Sequence, residues 1–216
     1  MTRNVVTIEK NADIIEAARK MKRHGFRHLP VVEADHRLIG IVTDRDIRSA
    51  LPSSQIADIR DGGEPTGPAG IKIIDIMTPD PVTASLSDTI QDALLLIQEK
   101  KVGALPVVDE QGVLKGIISV RDLLRAFVHV LGIGEPGTLL CIIVEEKIGQ
   151  LKKIVDAITE ENISFGSVLV FRYWEKNKRA VFPYLLTQNV APIKRKLKKM
   201  GYTLLDPMDW HIDQVS

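Results

Sequence analysis

Two short stretches, "GIVTDRD" at 40–46 and "GIISVRD" at 116–122, set a hydroxyl three residues ahead of a carboxylate after a glycine and two aliphatics. The pairs are Thr43 with Asp46 and Ser119 with Asp122, and an arginine (Arg45, Arg121) stands between the members of each. A hydroxyl at a strand's end and an aspartate in the first turn of a helix admit two chemistries. In the plain one the carboxylate caps free amides and is favoured by the positive end of the helix dipole. In the other, the open ends of the strands form a cleft. There the carboxylate accepts two hydrogen bonds from a ribose diol, while the hydroxyl and the helix amides face a phosphate. Caps are common, so the aspartate alone does not decide. The recurrence of hydroxyl, arginine and aspartate in both stretches favours recognition.

The elements that must position these residues also occur twice. Residues 1–50 align with 77–126 at a constant offset of 76 without a gap, and about a third of the positions are identical, which marks an internal repeat. Each copy opens on a short apolar segment (Val5-Val6, Val82). A capping residue follows, expected at Asn11 and Ser87, and then a helix. Ile14, Ala17, Ala18 and Met21 recur at three- and four-residue steps, which predicts one apolar stripe. Gly25 supplies a helix stop. "HLPVVE" and "RLIGIVT", or "ALPVVD" and "VLKGIIS", read as two strands joined by the short polar connections "ADHR" and "EQGV", hence a hairpin. A second helix begins near Asp46 and Asp122. A unit of this size buries too little surface to stand alone, so the two copies are expected to pack about a pseudo-two-fold axis.

Between the copies, residues 51–70 are rich in proline, glycine and serine and read as a linker. Its glycines make no phosphate loop, since no apolar strand precedes them and no Gly-Lys-Ser/Thr follows. "IKIIDIM" then leads into Met77. The first copy starts at the equivalent Met1 with no such lead-in, which is expected to reflect a shortened first unit or a start placed too late.

The segments "LPVV…GIVTDRD" and "LPVV…GIISVRD", each preceded by "VT" and a helix, resemble a tandem pair of CBS domains, a Bateman module, over residues 1 to about 130. The resemblance implies a disc with two clefts for adenosine ligands such as AMP, ADP, ATP or S-adenosylmethionine. It implies ribose-binding roles for Asp46 and Asp122 and phosphate- or ribose-side roles for Thr43 and Ser119, with Arg45 and Arg121 beside them. It also implies adenine contacts around Val6 and Val82 and in the residues just before "LP": Arg27-His28 and Gly103-Ala104. Arg27 and His28 resemble positions that reach phosphates, whereas Gly103 and Ala104 offer only backbone, so the clefts are expected to be chemically unequal.

From Gly134 the pattern changes. "TLLCIIVEE" reads as a strand, "GQLKKIVDAITEEN" as an amphipathic helix with Leu151, Ile154, Val155 and Ile158 on one face, and "SVLVFRYW" and "RAVFPYLL" as strands. Pro192 opens a helix carrying Ile193, Leu197 and Met200, and "YTLLD" is a last strand. The order βαββαβ is a ferredoxin-like pattern. Residues 137–210 resemble an ACT domain through "EKIGQL", where Glu146, Gly149 and Leu151 match and Ile148 stands in place of a proline. That resemblance implies a possible amino-acid site at Gly149 and pairing of edge strands between chains, hence a homodimer. A CBS pair followed by such a domain is similar to the acetoin-utilisation (AcuB) family of bacterial regulators.

The expected fold is thus α/β (α+β): CBS domain 1 at 1–50, CBS domain 2 at 71–132 and the ACT-like domain at 137–210. A net charge of +1 gives no electrostatic footprint for nucleic acid. The single cysteine, Cys141, admits no internal disulfide and fits a reducing, cytoplasmic setting. No apolar run reaches membrane-spanning length, and no signal-peptide core opens the chain. His24 and His28 are four apart, but Gly25 should separate them, so no metal site is expected. The basic run 194–199 reads as a solvated helix face. Nothing resembles catalytic machinery, and no cofactor is required. The expected function is regulatory: an adenine nucleotide binds in one or both clefts and its state is relayed to the ACT-like domain or to a regulated enzyme. The alternative is a ligand-independent scaffold whose clefts are degenerate.

Overall fold

In the computed structural model, which describes residues 1–51 and 70–206, the chain divides into two units that meet between Leu123 and Leu124. Residues 52–69 of the linker expected at 51–70, and the last residues of the ACT-like segment, 207–210, lie outside the described residues.

The first unit opens with β1 (Ile8–Glu9) and α1 (Ile14–His24). The helix buries Ile14, Ile15, Ala17, Ala18 and Met21 on the expected stripe. It ends at Gly25, whose φ of 68° lets its N–H reach the Met21 carbonyl. The start differs from expectation by two residues in both copies. Asp13, not Asn11, caps α1 by accepting from Ile15 N–H at 2.8 Å. Thr89, not Ser87, caps the equivalent helix α3 (Ile90–Lys100), paired with Asp92 in a capping box. A cap must stand immediately before the first helical residue, and the turn preceding each helix is longer than the apolar pattern suggested.

After α1 come β2 (His28–Val32) and β3 (Leu38–Thr43), then α2 (Asp44–Ala50). The second copy repeats this with β6 (Ala104–Val108), β7 (Leu114–Ser119) and α4 (Val120–Val130). Each hairpin turns on a left-handed residue at the same repeat position, His36 (φ 60°) and Gly112 (φ 76°). These turns hold each other: Leu38 N–H donates to Gly112 O and Leu114 N–H to His36 O, both at 3.0 Å.

The copies are also joined at their leading segments, which cross over. β4 (Thr78–Pro79) begins the second copy but pairs with β3 of the first, Thr78 opposite Ile41. Thr2 reciprocally exchanges two backbone hydrogen bonds of 3.0 Å with Ile117 on β7. The sheets therefore run β1-β2-β3-β4, and β5-β6-β7 with β5 at Ala84–Ser85. Room for the crossing comes from Gly40 and Gly116. A Cβ on Gly40 would lie 2.6 Å from Met77 Sδ and 3.1 Å from Thr78 O, and one on Gly116 would lie 2.8 Å from Met1 Sδ and 3.1 Å from Thr2 O. The lead-in "IKIIDIM" follows the same logic. Its 3₁₀ turn, Ile73–Asp75, packs Ile73 into the core of the first copy, and Ile14 N–H donates to Ile71 O. That copy consequently has the larger core. α1 buries five side chains, whereas α3 buries only Ala93 and exposes Ile90 and Leu95.

In the second unit β8 (Thr138–Leu139), β9 (Cys141–Glu145), β10 (Phe165–Glu175), β11 (Lys178–Leu185) and β12 (Thr203–Leu205) form one sheet in the order β10-β11-β9-β12, with β8 also on β11. Helices α5 (Gln150–Thr159) and α6 (Ala191–Lys199) complete βαββαβ, and the strand order is that of a ferredoxin-like sheet. α5 buries Ile154, Ala157 and Ile158, while Leu151, expected on that stripe, is exposed. On α6, Ile193 and Leu197 are buried and Met200 is largely outside. The basic run is solvated, with Lys196 paired to Glu160 and Glu161.

Replacing Gly40 with alanine inserts a methyl where Met77 and the Thr78 carbonyl already lie. Urea denaturation should show about 1–3 kcal/mol of lost stability. An unchanged midpoint would mean that the crossing segment does not seat on this glycine.

Candidate functional site

Strand pairing sets the site. His28 is the cross-strand neighbour of Thr43, and Ala104 that of Ser119, so the residues before "LP" and the hydroxyls share one sheet end in each copy. Immediately beyond each hydroxyl the chain enters a helix. Asp46 Oδ2 accepts from Thr43 N–H at 2.8 Å and from its hydroxyl at 2.7 Å, while Asp46 N–H donates to Thr43 Oγ1 at 3.3 Å. Asp122 repeats this on Ser119 at 3.0, 2.7 and 3.3 Å. Both aspartates therefore close a capping contact with the hydroxyl residue that precedes their own helix. Each uses one carboxylate oxygen for this, and Oδ1 of each has no hydrogen bond among the described residues.

The crossing of leading segments gathers residues of both copies into one cleft of about 550 Å³. Arg27, His28, Thr43, Arg45 and Asp46 come from the first copy, and Val82, Gly103 and Ala104 from the second. Eight of the residues singled out from the repeat thus share a single cavity. Val6 instead packs on the core of the first copy. Ser119 and Asp122 do not line this cleft, and Arg121 donates to Gly25 O at 3.3 Å, across the copy boundary. Thr78, Asp80, Lys101 and Arg48 also border the cleft. Sequence reasoning missed them because they belong to the other copy or to the outer side of α2. The offset of 76 alone does not reveal a crossing.

The difference between "RH" and "GA" proves to be one of packing. A Cβ on Gly103 would lie 2.6 Å from His28 Nε2 and 2.9 Å from Cε1, so the imidazole of one copy rests on the bare backbone of the other. A side chain at 103, such as the arginine at the equivalent position 27, would leave no room for this arrangement. Burial holds the His28 pKa below its ordinary 6.5, helped by the neighbouring Arg27 charge and opposed by Asp46. The imidazole is therefore biased toward its neutral form.

Elsewhere, His24 stacks on Phe26 at 5.7 Å and is separated from His28 by the turn at Gly25. Cys141 is buried in β9, and burial raises its thiol pKa to about 11, which leaves an inert thiol. Gly149, at φ 89°, is the N-cap of α5 and offers no side-chain cap. The adjoining Glu146 is paired with Arg179, and Ile148 is fully exposed.

A family model for the CBS domain matches residues 1–53 and 73–129. Among curated relatives, the uncharacterized protein MJ1225 of Methanocaldococcus jannaschii is 35% identical over 59% of this chain and 45% of its own length. The chain thus spans under half of that relative. A crystal structure of CBSX2 in complex with AMP is 28% identical over 59% of this chain and 92% of its own, with a TM-score of 0.49. A crystal structure described as an acetoin utilization protein (AcuB) of Vibrio cholerae is 29% identical over 63% and 94% of the two chains, again at 0.49.

Two measurements test the His28–Gly103 contact. Gly103→Ala should destabilise by about 1–2 kcal/mol, and adding His28→Ala should recover most of it, a coupling that denaturation of the four variants resolves. Since the folded-state pKa of His28 lies below its unfolded value, the unfolded chain binds protons more readily. Stability should therefore fall as pH drops below about 6.5, with less of a fall in His28→Ala. Additive single effects would show that ring and glycine do not touch.

Proposed function

The chain belongs to the CBS-domain family, and on that premise we propose that it is a regulatory module that binds an adenine nucleotide of the AMP, ADP or ATP type, or S-adenosylmethionine, in the cleft between its copies. The observation that carries this reading is the composition of that cleft. Ile41, Pro81, Val82 and Ala104 supply apolar walls for a base. Asp46 keeps Oδ1 available for a ribose diol while Oδ2 is tied to Thr43. Arg27, Arg45 and Lys101 supply positive charge for phosphate. A volume of about 550 Å³ suits a ligand of nucleotide size.

A ligand in this position touches both copies, and it shifts their relative arrangement in proportion to its unequal affinity for the two states. We take that shift to be the signal, passed to the ACT-like second unit or to a partner enzyme. Gly149 is the proposed amino-acid position of that unit. The architecture's resemblance to the acetoin-utilisation regulators points the response toward carbon metabolism. No helix among the described residues is long and apolar enough to cross a membrane, and the single cysteine accords with a cytoplasmic setting. The exposed Leu86, Ile90 and Leu95 of the second copy offer apolar surface to a homodimer partner.

Calorimetric titration with AMP, ATP and S-adenosylmethionine tests the reading. Asp46→Asn keeps an acceptor for Thr43 but removes the charge from the diol contact, and it should weaken binding about tenfold or more. No binding of any of the three, or full affinity in Asp46→Asn, would remove the ribose assignment and leave the scaffold role.

A further inference from the structure

Beside the cleft lies a second cavity of about 300 Å³, which shares Arg27, Asp44 and Arg48 with it. Its floor is apolar, with Met21 and Ile47 buried. Its rim is cationic: Lys22, Arg27, Arg48 and Arg121 are opposed by the one carboxylate, Asp44, among its described lining residues. Local structure accounts for only part of this charge. Lys22 lies in the last turn of α1, where a cation suits the helix dipole. Arg121 donates to the carbonyl of Gly25, and Arg48 pairs with Asp44 at 2.6 Å. Arg27 makes no side-chain hydrogen bond or ion pair among the described residues.

The repeat supplies an internal control. At the offset of 76, Lys22 corresponds to Gln98, Arg27 to Gly103 and Arg48 to Leu124, and only Arg121 has a cationic counterpart, Arg45. The helix and strand positions are the same in both copies, so the fold does not require cations there. Three of the four cations stand on one side only, around one cavity, and that cavity shares Arg27, Asp44 and Arg48 with the candidate nucleotide cleft.

We propose that this cavity is a polyphosphate subsite, which receives the distal phosphates of a nucleoside di- or triphosphate whose adenosine part lies in the adjoining cleft. The proposal rests on the nucleotide reading above and extends it to the class of ligand: one with more than one phosphate. Guanidinium groups match phosphate oxygens in paired geometry, and their crowding around one cavity is unfavourable until an anion enters. Arg27, at the junction of the two cavities, is placed to contact the phosphate that passes between them. Arg48 would exchange Asp44 for the terminal phosphate.

The test is calorimetry on the full chain at low ionic strength with AMP, ATP and inorganic tripolyphosphate, repeated on Lys22→Gln/Arg48→Gln. The expected result is ATP binding about tenfold tighter than AMP. Tripolyphosphate should compete with ATP more strongly than with AMP. The preference for ATP should shrink to within about twofold in the double variant and decline with added salt. Equal affinities for AMP and ATP, or a preference that the double variant leaves intact, would overturn the subsite and leave the nucleotide reading standing. If neither nucleotide binds, the nucleotide reading fails. Tripolyphosphate binding that the double variant abolishes would then still support an anion subsite, and its absence would sink that as well. Circular dichroism monitors folding, and Arg48→Gln alone carries the comparison if the double variant does not fold.

Discussion

The first unit depends on a close approach of backbone to backbone at Gly40 and Gly116. Each copy's leading residues must lie on the other copy's outer strand, and the space they occupy is where a side chain would otherwise project. Met77 and Met1 fill it, with the carbonyls of Thr78 and Thr2 just beyond. Much else follows from this crossing. It adds a strand to the first sheet and a bridge to the second. It brings Ile73 into the core of the first copy, and it carries Asp80, Pro81 and Val82 to the end of the first copy's sheet. A cleft built from one copy alone would lack a wall.

Helix capping and ligand recognition are compatible uses of one aspartate. A carboxylate has two oxygens and about four lone-pair directions, and the cap engages Oδ2. The tie to the Thr43 backbone and hydroxyl fixes the side chain's rotamer, so the remaining oxygen is held in place before a ligand arrives. That lowers the ordering cost of binding. The plain reading of "TDRD" is thus met by a geometry that leaves one oxygen for the proposed ribose contact. Capping is present in both copies, and what separates them lies in the residues around the cap.

The repeat, the helix–hairpin–helix order, the ferredoxin-like pattern and half of the cleft's lining residues were legible in the sequence. Periodicity and turn chemistry are local signals, and a gap-free offset makes two weak patterns into one strong one. What stayed hidden has physical reasons. Helix starts moved from Asn11 to Asp13 and from Ser87 to Thr89, because several polar residues precede each helix and only backbone geometry selects among them. Leu151 and Met200 fit the helical period but fall at stripe margins, where packing decides exposure. The crossing of leading segments leaves no trace in periodicity, since both copies carry the same pattern whether they exchange segments or keep them.

Asymmetry in the first unit begins at a single pair of facing positions. At the offset of 76, Arg27-His28 of the first copy correspond to Gly103-Ala104 of the second, so the pair differs. The His28 ring occupies the space that a side chain at Gly103 would fill. Once that pair differs, the two sheet ends have different electrostatics, since Arg27 accompanies His28 and no charge accompanies Ala104. Lys22 and Arg48 line the second cavity on that same side, with Gln98 and Leu124 at the matching positions, and the anion proposed to bind there would offset their mutual repulsion. Under the proposed nucleotide reading, such an inequality would let a ligand favour one arrangement of the two copies over another, the differential interaction that a sensor requires.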